Sequence, residues 1–127
     1  MTSVAYVDTS ALVAIVFGEA GATALGRRLK AFDELVSSNL LEAELFASLA
    51  RERVAPPASL PVGLSWILPD RPLHDEIERV LAAGYVRGAD CWHLATALYL
   101  AEDPASISFV TADDRQRRVA LALGFKE

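Results

Sequence analysis

Apolar residues along this chain come in two rhythms, and the two alternate. Short apolar runs, Val4–Val7, Leu35–Ser37, Ser65–Leu68 and Ile107–Thr111, have the length of strands buried on both faces. Between them lie longer stretches with helical spacing. The first helix is expected over Ser10–Phe17, capped by Thr9 or Ser10. Gly18 interrupts, and a second helix is expected over Glu19–Ala31, loosened by Gly21 and Gly26. Ser38 or Asn39 caps a long third helix running to about Arg53. Pro56, Pro57 and Pro61 break the pattern, and Ala55–Gly63 supports no regular element. Helices resume at Leu73–Ala83, with Gly84 as a stop, at Ala89–Ala101, and at Asp113–Leu123, closed by Gly124.

Alternation of strand and helix favours parallel pairing with helices on both faces. The expected architecture is therefore α/β, three layers (α/β/α) around a mostly parallel sheet of about four to five strands. With 127 residues, 53% of them hydrophobic, residues 1–127 are expected to form a single domain with a substantial core. In such sheets ligands bind at the carboxyl ends of the strands. The residues just past the end of each apolar run are therefore the first candidates for chemistry.

Acidic residues stand where folding alone does not ask for them. Asp8 ends the first apolar run and Asp113 comes after the last. Asp90 opens a strongly apolar helix, with Leu94, Ala97 and Ala101 continuing its face. Glu42 falls on the third helix at nearly the angle of Leu49 and between Leu45 and Phe46, whereas Glu44 turns to the opposite face with Ser48 and Arg51. Each acid has a plainer reading: Asp8 as a helix cap, Glu42 as half of an ion pair, Asp90 and the Asp113–Asp114 pair as favourable charges at helix starts. Jointly they point elsewhere. Burying an unpaired carboxylate costs several kcal/mol or forces protonation, and a shared cation relieves all four at once. An all-carboxylate set suits Mg²⁺ or Mn²⁺, and with it hydrolysis of a phosphodiester. Ser10 and Thr111 are supporting hydroxyls, able to orient a carboxylate or a water; the Thr-x-Asp spacing at Thr111–Asp113 mirrors Asp-x-Ser at Asp8–Ser10 and favours Asp113 over Asp114 as the inner acid. His93, one turn after Asp90, either contacts Asp90 or substrate or simply packs, and no second His or Cys completes a zinc-type set with it.

Charge and cysteine content narrow the classes. A net charge of −5 argues against a general nucleic-acid coat protein, which needs a basic footprint. It leaves room for a nuclease whose acids are neutralised by metal. Arg27, Arg28 and Lys30, Arg51 and Arg53, and Arg115, Arg117 and Arg118 form basic groups, read first as solvated helix faces and second as phosphate grips. The single Cys91 excludes an intramolecular disulfide and reads as inert filler. Trp66 and Trp92 read as core residues. No apolar run reaches the roughly 18 residues of a membrane span, and Met1-Thr2-Ser3 lacks a signal-peptide pattern, so a cytoplasmic protein is expected.

Several segments resemble PIN domains, in particular the VapC-type toxin ribonucleases of toxin–antitoxin pairs. They are Val7-Asp8-Thr9-Ser10-Ala11-Leu12, Ser37 to Glu42, Arg87 to Ala97, Phe109-Val110-Thr111-Ala112-Asp113 and Ala122-Leu123-Gly124-Phe125, and the likeness covers nearly the whole chain. The resemblance implies a metal-dependent endoribonuclease with Asp8, Glu42, Asp90 and Asp113 as metal-binding and catalytic acids, supported by Ser10 and Thr111. It implies Mg²⁺, with Mn²⁺ an alternative, an RNA substrate, products with a 5′-phosphate and a 3′-hydroxyl, a small antitoxin protein as partner, and a homodimer. Two features depart from the pattern: the segment Ala55–Gly63 is short and proline-rich, and the chain ends soon after Gly124, which leaves the last edge strand shortened or absent. A PIN-like RNA-binding or RNA-processing module outside a toxin–antitoxin pair is the alternative. Phosphoryl transfer on Asp8 in the manner of haloacid dehalogenase-type phosphatases fits poorly, because position 10 is Ser10 where that chemistry needs a second aspartate.

Overall fold

The computed structural model describes residues 2–127. Four strands, β1 (Val4–Val7), β2 (Glu34–Ser38), β3 (Ser65–Ile67) and β4 (Ser108–Val110), alternate with six α-helices. The helices are α1 (Thr9–Val16), α2 (Ala22–Lys30), α3 (Leu40–Arg51), α4 (His74–Ala83), α5 (Gly88–Leu100) and α6 (Asp114–Leu123), with a 3₁₀ turn at Pro104–Ser106. The sheet runs β3-β2-β1-β4 and every pairing is parallel, Tyr6 lying opposite Val36 on one side and Phe109 on the other. The α/β architecture expected from the alternation is the one observed.

Period-two alternation divides the strands between two layers. Ala5, Val7, Leu35 and Val110 pack with Ala11 of α1 and Leu29 of α2. Tyr6, Val36, Ile67 and Phe109 face the other way, onto α4, α5 and α6 through Val80, Leu94, Ala97 and Val119. Within that second layer the Tyr6 and Phe109 rings stack, with centroids 5.2 Å apart and planes 5° from parallel. Helix α3 docks on α1, burying Leu41, Leu45 and Leu49 against Leu12. The proline-rich segment has no regular structure, and its Leu60 and Val62, with Leu64 just after it, close over the α1 and α3 side chains.

Two glycines set close joints. Gly124 ends α6 at φ 105°, a left-handed conformation that a side chain disfavours. A Cβ on Gly84 would meet Val119 Cγ2 at 2.9 Å, so the glycine lets α4 end against α6. Beyond Gly124 the sheet gains a single parallel bridge, Ser108 to Lys126: the Phe109 N–H donates to the Lys126 carbonyl at 2.9 Å, and the Lys126 N–H to Ile107 at 3.0 Å. The last edge is thus shortened to one residue. Among the described residues no helix is long and apolar enough to cross a membrane.

Trp66 departs from its expected place in the core. It is 38% exposed, because β3 is the edge strand and leaves one face uncovered. Trp92 is half-buried against the core, its Nε1–H donating to Ser38 Oγ at 3.1 Å.

Candidate functional site

The chain passes from β1 to β2 on one side, while β4 adds to the opposite edge of β1. The strand order therefore reverses between β1 and β4, and that is where a crevice opens at the carboxyl ends of a parallel sheet. Asp8 leaves β1 there and Asp113 lies just beyond β4.

Asp8 is 2% exposed and does two things at once. Its extended backbone (φ −73°, ψ 150°) caps α1, with Oδ2 accepting the Ser10 N–H at 3.0 Å. Oδ1 accepts from Gln116 Nε2 at 3.0 Å. A chain of hydroxyls holds that amide in place. Ser10 Oγ lies 3.0 Å from Thr111 Oγ1 and accepts the Ala112 N–H, so its proton points to Thr111. Thr111 Oγ1 in turn donates to Gln116 Oε1 at 2.7 Å and is 3.4 Å from Asp8 Oδ2. The two supporting hydroxyls meet each other, and Gln116, fully buried, transmits their order to Asp8.

Asp113 caps α6, accepting the Gln116 N–H at 2.8 Å, and its own N–H donates to Thr111 Oγ1 at 3.0 Å. It is exposed, as is Asp114, which pairs with Arg117. Asp90, half-buried in the first turn of α5, shares with Asp113, Asp114, Arg87, Arg115 and Arg118 a cavity of about 450 Å³. Burial raises the Asp90 carboxyl above the ordinary aspartate range, and the charges of Asp8, Asp113 and Glu44 raise it further. Those three acids and Asp90 therefore stand in one electrostatic neighbourhood.

Glu42 is not among them. It is exposed, and Glu44 is the acid of α3 that turns inward. The expectation failed over Phe46. Counting it in the apolar stripe swings the stripe towards Glu42, yet Phe46 is 39% exposed. The true stripe, Leu41, Leu45 and Leu49, packs on α1, and its flank towards the strand ends carries Glu44. Glu44 Oε1 accepts from Thr9 Oγ1 at 2.8 Å and lies 2.7 Å from His93 Nε2. Burial pushes its pKa up, but the bonds from His93 and Thr9 outweigh it and hold the carboxyl below the usual range.

His93 resolves towards the site and not towards Asp90. It is 1% exposed, with Nδ1 2.7 Å from the Tyr6 hydroxyl and Nε2 3.9 Å from Asp8 Oδ1. Tyr6 is buried, which pushes its phenol strongly upward in pKa and keeps it neutral, and its oxygen accepts the Ser38 N–H at 3.1 Å. Thr9, Glu44, Tyr6 and Gln116 are additions to the expected site: Thr9 reads in sequence as a helix cap and Glu44 as an acid on the opposite face of α3, while Tyr6 on β1 and Gln116 in the charged first turn of α6 carry no local signal. Cys91, buried with its thiol pushed up in pKa by burial, takes no part.

The donor set at this crevice is all carboxylate oxygen, which suits a hard divalent cation. Asp8 receives one amide N–H and one backbone N–H, and among the described residues no arginine or lysine pairs with it; at Asp90 burial raises the carboxyl first, and the charges of Asp8, Asp113 and Glu44 add to it. Asp8, Glu44, Asp90 and Asp113 thus fit such an ion. Among the described residues, the tightest group of potential ligands, within 4.8 Å of one another, is His74, Asp75 and Glu78. All three are exposed at the start of α4, where such groups are common without a metal. The four acids of the crevice are spaced more widely.

Fold and site together define an α/β protein that gathers acids at the reversal point of a parallel sheet. The family model described as the PIN domain matches residues 5–122, and the chain belongs to that family. PIN domains are generally nucleases, typically dependent on divalent metal. No curated protein and no solved structure matches the chain.

Proposed function

We propose that this protein is a Mg²⁺-dependent endoribonuclease, Mn²⁺ being an alternative ion, and the toxin of a toxin–antitoxin pair. The observation that carries the nuclease reading is the convergence of acids at the reversal point of the sheet: one Gln116 amide reaches both the Asp8 carboxylate and the Asp90 backbone, Asp90 and Asp113 line one cavity, and His93 Nε2 lies 2.7 Å from Glu44 and 3.9 Å from Asp8. The sequence-based site is amended at one position, Glu44 for Glu42.

Asp8, Glu44, Asp90 and Asp113 would hold the ion. When bound, it neutralises charge on the scissile phosphoryl group and makes an attacking water more acidic. The remaining work belongs to the chain. Gln116, Ser10 and Thr111 keep Asp8 in one orientation, while His93 and Thr9 do the same for Glu44. Both carboxylates are thereby preorganised, so little reorganisation accompanies reaction. No side-chain nucleophile is needed, and the products are a 5′-phosphate and a 3′-hydroxyl.

The toxin role rests on the resemblance to VapC-type sequences. It brings a cytoplasmic setting, a small antitoxin as partner and a homodimer. An apolar groove of about 360 Å³ along α4 and α5, lined by Ile77, Leu81, Val86 and Trp92, supports a protein partner.

The deciding experiment is cleavage of total cellular RNA by the purified chain with Mg²⁺, Mn²⁺ or EDTA, beside Asp90→Asn. Metal-dependent cutting lost in the variant supports the reading. No cutting with any metal, from protein free of bound partner, would turn it into a binding module.

A further inference from the structure

An acidic site on a chain of net charge −5 repels the polyanion it is meant to cut, so substrate capture needs local positive charge. The structure concentrates such charge beside the acids. Arg115 and Arg118 stand three residues apart on the exposed side of α6, and both line the cavity that contains Asp90 and Asp113. They also line the neighbouring cleft, again about 450 Å³, whose far wall is Gly84 and Tyr85. The two hollows thus share a pair of arginines. Arg117, lying between them in sequence, is drawn off by Asp114 and Glu127. Arg87, Arg115 and Arg118 form no ion pair among the described residues and are exposed.

Tyr85 is 68% exposed and lines the same cleft as Arg115 and Arg118, so its ring is open to stacking. It is not loosely held. The next residue, Val86, is 3% exposed and anchors the turn between α4 and α5 in the core. Tyr85 and Arg87 therefore project from one fixed turn on either side of an anchor.

We propose that this surface is a binding track for single-stranded RNA leading into the acidic site: Arg115 and Arg118, with Arg87, grip backbone phosphates, and Tyr85 stacks a base of the flanking nucleotide. Guanidinium forks match phosphate oxygens, and base–aromatic stacking tolerates any base. The track rests on the ribonuclease reading and adds to it a flanking subsite, with a named residue for each contact.

The test uses the full chain carrying Asp90→Asn, a fluorescein-labelled single-stranded RNA oligonucleotide, and anisotropy titrations across a salt series. Added to that background, Arg115→Glu with Arg118→Glu should weaken binding at least about 10-fold and flatten the salt dependence by roughly 1.4, the slope of two phosphate contacts on a single strand. Tyr85→Ala should weaken it about 5- to 100-fold, and Tyr85→Phe should restore it, since stacking needs the ring and not the hydroxyl. Arg27→Glu with Arg28→Glu on α2, the same charge change at a distance, should have a small effect. Thermal melts verify that each variant is folded. Parent-like binding by both the Tyr85→Ala and the double-arginine variants overturns the track; if the unsubstituted chain still cuts RNA with metal, the ribonuclease stands without it. Equal losses for the α6 and α2 pairs would show a diffuse charge effect and overturn it too. Absence of both binding and cleavage removes the track and the ribonuclease reading together.

Discussion

His93 bridges Tyr6 and Glu44: its Nδ1 lies 2.7 Å from the Tyr6 hydroxyl and its Nε2 2.7 Å from Glu44 Oε1. The carboxylate can only accept, so Nε2 presents its proton to Glu44 while Nδ1 meets the phenol hydroxyl. One imidazole thus links the central strand to an acid on α3.

That bridge should matter to metal binding before it matters to folding. In His93→Leu, Glu44 loses its strongest donor, and Mn²⁺ affinity, read by calorimetry or electron paramagnetic resonance, should fall about 10- to 100-fold, the usual cost of removing the group that orients a ligand. His93→Gln keeps an amide donor near the position of Nε2 and should recover much of it. Unchanged affinity in the leucine variant would show that Glu44 needs no orienting.

The two acids of α3 make a clean pair of variants. Glu42→Gln should cleave RNA at the parental rate, since Glu42 is exposed. Glu44→Gln should lose several kcal/mol of transition-state stabilisation, on the order of 100-fold or more in kcat. The reverse result would restore the assignment first read from the sequence.

Why that assignment went astray shows what sequence can carry. Val4–Val7 was legible because a short apolar run with turns on either side is a local signal. Asp8, Asp113 and Asp90 were legible for the same reason, each being fixed by the element it terminates or opens. Glu42 and Glu44 differ by about 200° around one helix, and which of them faces the strand ends depends on where α3 docks on α1, a tertiary fact. Phe46 misled because an exposed aromatic looks like a buried one in sequence. Gln116 and Thr9 reach partners 108 and 35 residues away, and no local pattern marks them.

Asp90 links stability to pH. Its pKa in the folded chain stands above the ordinary aspartate value of 3.8, so its contribution to stability is fully present below that value and is lost as pH rises through the folded pKa. At neutral pH in EDTA the ionised carboxylate therefore destabilises the fold. Asp90→Asn should melt higher than the parent there, on the order of 2–5 °C, the half-exposed position and solvent screening keeping the effect small. Acid should erase the difference. Added Mg²⁺ should raise the parent melting temperature more than that of the variant. A variant that melts lower than the parent in EDTA at neutral pH would contradict a cost for ionising Asp90 in this half-buried place beside other acids.

Gln116 offers the sharpest probe of whether Asp8 is held by neutral donors alone. Gln116→Ala leaves Asp8 Oδ1 buried without its 3.0 Å donor and removes the acceptor of the Thr111 hydroxyl, a loss of roughly 1–3 kcal/mol in stability. Gln116→Glu differs in kind. It keeps the size and the acceptor for Thr111 but replaces the amide donor with a fifth carboxylate beside Asp8. In EDTA this variant should be less stable than the alanine one at neutral pH, because like charges repel in a buried site, and it should recover on acidification as one of the pair protonates. Added Mg²⁺ should also recover it, more than it recovers Gln116→Ala, since a cation offsets the added charge but cannot replace a missing hydrogen bond. Melting curves of both variants with EDTA and with Mg²⁺ decide the matter. If magnesium leaves the two equally impaired, the ion does not reach the neighbourhood of Asp8.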